Sequence, residues 1–477
     1  MKKEKNGADG SHRAEPRDAA ARSAVRKTAI EILLETTTSG RFVDEILSAR
    51  LGALEERDRH LLQEISYGAI RHRSTLDHLI DFHLKLPVER QRPAVAWALR
   101  LGVYQLVYLG RIPPHAAVNQ TLEGLKGVTG IGSRDVGFVN AILHKVAGDV
   151  RRKSSEGPVD DDDPTVLPIR FGYCHFSRPV LPIRRLDTVK HLALKHSHPF
   201  WLVERWLERY GEQETHLLCR SQNRTPSITV RATRLAPSRE AVLEALAGEG
   251  FQAQAGALEE SIVLVKAGGI EGSATMSKGW FQVQDETAIR IGAVLAPPEG
   301  ARVLDLCAAP GGKATQLLER VGPEGHVVAA DRSEEKLTRI RENLSRFGSH
   351  FTATTVQENA DEIDLGETFS HILVDAPCSN TGVLARRPEA RWRVKKQDLR
   401  ALAAMQSRLL EAALRHLSPG GRLLYATCSI EPEENENIIA EAFTRHPDLI
   451  ERETKLFLPH RCSADGGFYS LLIKGKR

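Results

Sequence analysis

"VLDLCAAPGGKATQLLER" (residues 303–320) joins a near-continuous apolar run to a turn of small residues and then to a segment with helical spacing. An apolar run without polar alternation reads as a strand buried on both faces, and such strands belong in parallel sheets covered by helices. The unit recurs. "GHVVAAD" (325–331), "SHILVDAP" (370–377) and "GRLLYATC" (421–428) are further short apolar runs, and "SEEKLTRIRENLSRFG" (333–348) and "DLRALAAMQSRLLEAALRHL" (398–417) supply helices between them. From about residue 279 onward the pattern predicts a doubly wound α/β sheet. Sheets of this kind bind ligands beyond the carboxyl ends of their strands. Those ends carry Cys307, Asp331, Asp375 and Cys428. One polar strand end is ordinary; four on one edge point to an active site.

The turn at 307–313 narrows the ligand. Glycine and alanine let backbone approach a ligand closely, and the helix that follows offers unpaired N–H groups. It is not a Walker A loop, because Cys307 falls where the first glycine should be and Ala314 replaces the Ser/Thr. GxGxxG is also missing, so ATP and NAD lose ground. Asp331, eighteen residues beyond Lys313, closes the second strand, where an acidic side chain can accept both ribose hydroxyls. Turn and acid together predict an adenosine-containing cofactor.

Two strand ends repeat one arrangement. "LVDAPCSNTG" (373–382) and "LLYATCSIEPEENE" (423–436) each place a Cys-Ser pair after an apolar run, with Cys378 and Cys428 fifty residues apart. A disulfide, a metal site and paired catalytic thiols are the candidates. The six cysteines are scattered, without a CxxC pair or a histidine at zinc-finger spacing, so no metal site is expected. The N-terminus lacks an apolar signal core, and no apolar run approaches the roughly 18 residues of a membrane span. A reducing cytoplasm is therefore expected, where a stable disulfide is disfavoured.

A chain of 477 residues predicts two to four domains, and 41% hydrophobic with 27% charged residues is a globular composition. A net charge of +4 permits a polyanionic partner without demanding one. Residues 1–20 read as a disordered tail. Residues 21–150 read as a helical bundle, with Val95, Leu99, Val103 and Leu106/Val107 as one apolar stripe. "SSEGPVDDDDPTVLP" (154–168) marks a linker or insertion over 151–189. Residues 190–278 alternate helix and strand in a small α+β unit, with Ser238 as a helix N-cap, and 279–477 form the α/β domain. "WLVERWLERY" (201–210) reads as core.

Three of these stretches, "VLDLCAAPGGKATQLLE", "VDAPCSNTGVLARRPEARW" and "GGRLLYATCSIEPEENE", resemble the signature motifs of the Sun family (also called Fmu or RsmB) of bacterial 16S rRNA cytosine-C5 methyltransferases. "GWFQVQDETAIR" and "GGFYSLLIK" fit the same pattern. "LRLGVYQLVYLGRIPPHAAVNQTLEGLK" and "GFVNAIL" resemble the NusB-like RNA-binding domain fused to the family's ribosomal members. The resemblance covers roughly residues 20–150 and 190–477 and implies a Rossmann-like methyltransferase domain with S-adenosyl-L-methionine as cofactor. It implies that Cys307, Ala308, Ala309, Pro310, Gly311, Gly312 and Lys313 form the cofactor loop, that Asp331 holds the ribose, and that Asp375 lies beside cofactor and target base. The family's adenine-side aspartate corresponds here to Asn359, with Asp361 nearby. Segment 151–189 looks expanded relative to compact members.

Cytosine C5 is a poor nucleophile. A thiolate added at C6, with N3 protonated or strongly hydrogen-bonded, makes C5 able to attack a methyl group. Spacing alone does not say which thiol attacks; the resemblance implies Cys428 as nucleophile, Cys378 as helper in product release and Asp375 as the N3 partner. "ARRPEARWRVKK" (385–396) sets Arg386, Arg387, Arg391, Arg393, Lys395 and Lys396 around Trp392, a mixture suited to RNA phosphates and bases. The target cytosine is expected flipped or unpaired, and the enzyme a cytoplasmic monomer acting on RNA, 16S rRNA first. The alternatives are a tRNA or DNA cytosine methyltransferase, and a non-catalytic RNA-binding assembly or antitermination factor.

Overall fold

In the computed structural model, residues 16–476 are described except 53, 158–161, 267, 347–351, 358–361 and 463. Two compact units result, one ending at Arg205 and the other starting at Trp206.

The first unit is a helical bundle followed by a small sheet. Its helices run Pro16–Ser39, Val43–Leu51, Glu56–Arg71, Arg73–Asp81, Pro93–Tyr108, Pro114–Lys126 and Ser133–Asp149. Helix Pro16–Ser39 begins inside the tail expected to be disordered, and residues 1–15 lie outside the described residues. Helix Pro93–Tyr108 is buried from Val95 to Tyr108 on all faces, not along one stripe. Helices surround it, so even its polar side chains find partners inside. Arg100 pairs with Asp77 at 2.6 Å, and Gln105 accepts from Arg26 and donates to Thr121.

The expected linker 151–189 is instead largely folded. Strands β1 (Val150–Ser154), β2 (Val166–Ile169) and β3 (Gly172–Phe176) form an antiparallel sheet in the order β1-β3-β2. Val166, Leu167, Cys174 and Phe176 are buried, enough apolar surface to fold what the Pro- and Asp-rich text disguised. Of the four aspartates, Asp160 and Asp161 lie outside the described residues. Asp162 pairs with Arg184 at 2.5 Å, and Asp163 accepts from the Thr165 backbone.

The second unit holds two sheets. Strands β4 (Ile228–Ala232), β5 (Gln252–Ala255), β6 (Ser261–Lys266) and β7 (Phe281–Val283) pair antiparallel in the order β5-β6-β4-β7, with helix Arg239–Gly248 capped by the Ser238 hydroxyl. The larger sheet contains β8 (Arg302–Leu306), β9 (His326–Asp331), β10 (Thr352–Gln357), β11 (Phe369–Asp375), β12 (Leu417–Thr427), β13 (Leu449–Phe457) and β14 (Gly467–Lys474). Its order is β10-β9-β8-β11-β12-β14-β13, parallel from β10 to β12 and antiparallel through β14 and β13. Alternate residues serve two cores. Val303, Val327, Ala329, Leu373 and Leu424 pack with helices Gly312–Val321 and Glu334–Ser345, whereas Leu304, Leu306, Ile372, Val374 and Tyr425 pack with Asp398–His416 and Glu436–Arg445. The chain winds outward from β8 in one direction and from β11 in the other. The crevice beyond this switch point is where such a sheet receives its ligand. Among the described residues no helix is long and apolar enough to cross a membrane.

Candidate active site

Beyond β8, Cys307 adopts a left-handed conformation (φ 64°), and the chain turns through Ala308, Ala309 and Pro310 into Gly311 (φ 103°). Gly311 caps helix Gly312–Val321, and a Cβ there would lie 3.3 Å from the Ile340 backbone. The turn is pinned by Ala308 N–H donating to the Ala330 carbonyl and by the Asn343 amide donating to the Pro310 carbonyl. Lys313, on the first helical turn, reaches back to Asp375 at the end of β11, Nζ to Oδ2 2.6 Å. Burial pulls the Lys313 pKa down, but Asp375 and Asp305 together raise it above its ordinary value. Asp331 sits 6% exposed at the end of β9, accepting from Ser333 N–H, with Lys336 Nζ 4.0 Å away. Asn359 and Asp361 lie outside the described residues.

Asp305 is a residue the sequence reading missed. It sits within β8, fully buried, and neither carboxylate oxygen has a hydrogen-bond partner. Burial, then the neighbouring Asp375, push its pKa well up. The strand ends thus gather Asp305, Asp331 and Asp375, with Lys313 on Asp375 and Lys336 beside Asp331. A cationic ligand carrying a ribose fits this set: backbone N–H groups at the helix start, an acid at the second strand end, and orphaned carboxylate oxygens beneath the turn.

The two thiols meet. Cys378 Sγ and Cys428 Sγ lie 3.0 Å apart as free cysteines. Hydrogen bonding to Cys428, then burial, raise the Cys378 pKa well above its ordinary value. Asn380 (φ 62°) arches over the pair: its Oδ1 accepts from Cys428 Sγ at 3.3 Å, and its Nδ2 donates to the Cys378 carbonyl at 2.8 Å. Gly382 N–H donates to the Cys428 carbonyl, and Gly466 N–H to the Gly382 carbonyl. The Cys307 thiol, by contrast, is pushed up by burial and by Asp331. Its contribution is the backbone turn.

The basic loop departs from expectation. Arg386 spans Asp285 (2.7 Å) and Asp465 (2.5 Å), and Arg391, 2% exposed, donates to Asn223 and to the Gln222 and Leu384 carbonyls. Both act as internal braces because fixed carboxylates and carbonyls surround them. Lys395 and Lys396 remain exposed. The motif segments around Asp285 and Asp465 thereby gain a shared purpose, which is to hold the loop that follows Cys378. Trp206 is buried, as the core reading expected, and donates to Glu431 Oε1 at 3.0 Å.

Three family models match: the NusB family over residues 23–148, the RsmF/B-like ferredoxin-like domain over 198–271, and the 16S rRNA methyltransferase RsmB/F over 292–473. The chain is 32% identical over 461 residues to the ribosomal RNA small subunit methyltransferase B of Pectobacterium carotovorum, covering 94% of this chain and 98% of that one. To the protein of the same name in Sodalis glossinidius it is 33% identical over 459 residues, with coverage of 94% and 98%. The crystal structure of PH0851 superimposes with a TM-score of 0.77 at 24% identity, over 96% of this chain and 98% of that one, a likeness of fold.

Proposed function

The chain belongs to the RsmB/F family of 16S rRNA methyltransferases, and from that premise we propose how its residues divide the labour of methylating cytosine C5. It is an S-adenosylmethionine-dependent RNA methyltransferase. The cofactor supplies an electrophilic sulfonium methyl group. Cys307 to Lys313 would cradle it, and Asp331 would take its ribose.

Cys428, as thiolate, adds to C6 of a flipped cytosine, and the C5–C6 π electrons shift into the ring toward N3, where Asp375, its carboxyl group protonated at that moment on the oxygen that Lys313 does not hold, provides the proton or a strong hydrogen bond. Lys313, 2.6 Å from Asp375, fixes that carboxyl group. C5 would then bond to the methyl carbon as the methyl–sulfonium bond breaks, its electron pair staying on the cofactor's sulfur as a neutral thioether. Solvent takes the C5 proton, the freed electron pair restores the C5–C6 double bond as the C6–S bond breaks, Cys428 leaves as thiolate, and any proton given to N3 returns to Asp375. Cys378, 3.0 Å from that sulfur, is placed to assist its departure. The contact between the two sulfurs, beside the lysine–aspartate pair, is the observation that carries this reading. A non-catalytic assembly factor would have no use for it.

The substrate is 16S rRNA, met by a monomer in the cytoplasm. Bisulfite sequencing of rRNA and tRNA from cells with and without the gene tests this. Loss of one unconverted cytosine in 16S rRNA supports it; loss confined to tRNA, or none, overturns it.

A further inference from the structure

Each candidate catalytic cysteine is followed by a serine, and both serines turn inward to a third side chain. Glu434, completely buried, receives Ser379 N–H on Oε1 at 2.8 Å and Ser379 Oγ–H on Oε2. Ser429 Oγ–H also donates to Oε2, at 2.5 Å, and Gln406 Nε2 donates to Oε1 at 3.0 Å. A carboxylate offers about four acceptor sites, and here four donors use them. The same frame extends to both sides. Gln406 Nε2 also holds the Pro377 carbonyl at 2.9 Å, Tyr425 OH donates to the Glu434 carbonyl at 2.7 Å, and Ser429 Oγ accepts from Glu431 N–H at 3.0 Å.

We propose that Glu434 is a positioning residue that sets the separation of the two thiols by tethering Ser379 and Ser429 to one carboxylate. The proposal rests on the reading of Cys428 as nucleophile and Cys378 as the group that assists release. The four hydrogen bonds to the Glu434 carboxylate come from Ser379, Ser429 and Gln406, so it positions the sulfurs through the serines, while its charge also raises the Cys378 pKa. An apolar staple would fill the same volume without fixing direction, whereas two hydroxyls aimed at one oxygen fix the path of both chains as they leave β11 and β12. A glutamine cannot replace it. Its single carbonyl oxygen could keep some of these donors, but its NH2 group would face donors where an acceptor is needed.

The test is rapid-quench kinetics on the full-length enzyme with rRNA and S-adenosylmethionine, following formation and decay of the denaturation-resistant protein–RNA adduct. The variants are Ser429→Ala, Ser379→Ala and Glu434→Gln, with Cys428→Ala and Cys378→Ala alongside. Misplacement near 1 Å slows a reacting pair about 100-fold, so Ser429→Ala is expected to cut adduct formation by that order while decay stays near normal. Ser379→Ala is expected to slow decay and spare formation, and Glu434→Gln to slow both while KM for RNA stays within about threefold. Should Glu434→Gln fail to fold, the serine variants, each lacking one oxygen atom, carry the test. Wild-type rates in both serine variants would overturn the tether, as would equal slowing of both steps with matching loss of RNA and cofactor binding. The cysteine variants separate this from the underlying reading. If the two cysteines exchange phenotypes and each serine still follows its own cysteine, the role assignment fails and the tether stands.

Discussion

Lys313 ties the turn after β8 to the end of β11 through one side chain. Its ammonium faces two carboxylates, Asp375 at 2.6 Å and the unpartnered Asp305. Lys313→Met leaves both uncompensated, so thermal unfolding should show a loss of about 1–3 kcal/mol, with activity reduced at least about tenfold. Asp375→Asn in the same background should recover stability but not methylation. Gly382 makes a second prediction. A Cβ there would meet the Gly466 backbone at 2.7 Å and the Cys428 carbonyl at 2.8 Å, and backbone cannot yield as a flexible side chain can. Gly382→Ala should lower Tm and abolish adduct formation together. At this scale the placement of Cys378 and Cys428 near two strand ends was legible because cysteine is rare and each follows an apolar run, and Asp331 because it closes such a run. It was opaque at "EPEENE", where Glu431, Glu433, Glu434 and Glu436 read alike as text. Only the fold gives one of them both serines, and only the fold shows that Asp305 has no partner.

Among the elements, β8, β9, β11 and β12 announced themselves because each is buried on both faces. Edge strands did not. β13, "LIERETKLF", is exposed over most of its length and so carries charge instead of an apolar run. Within the basic stretch 385–396 Arg386 misled for a related reason: charge in a sequence says nothing of which carboxylates lie opposite, and Asp285 and Asp465 arrive from distant segments. β11 also carries a pH-sensitive residue. His371 lies opposite Arg422 of β12, and burial, then that guanidinium, lower its pKa from 6.5 to about 4. Between these values the unfolded chain binds the proton more readily, so the stability His371 provides is present above pH 6.5 and lost as pH falls toward 4. About 3 kcal/mol is at stake. Denaturant melts of wild type and His371→Gln across that window should converge as pH falls; parallel curves would contradict the shift.

The whole chain reads as an RNA-modifying enzyme through agreement between levels. A helical unit matches the NusB family model, a small antiparallel sheet lies in the span matched by the ferredoxin-like model, and a seven-stranded sheet presents its switch point with two thiols and three acids. The order of these parts was legible because each has its own hydrophobic period. The sheet within 151–189 was not, because its short strands are interrupted by proline and an aspartate run. On the proposed function all of it converges on one covalent event, sulfur of Cys428 bonding to C6 of a cytosine. The most direct measurement incubates the full chain with rRNA and S-adenosylmethionine, then denatures it and asks which variant remains on the RNA. Cys378→Ala should stay attached and Cys428→Ala should be inactive and free. A crosslink that survives denaturation in Cys428→Ala but not in Cys378→Ala would contradict the account.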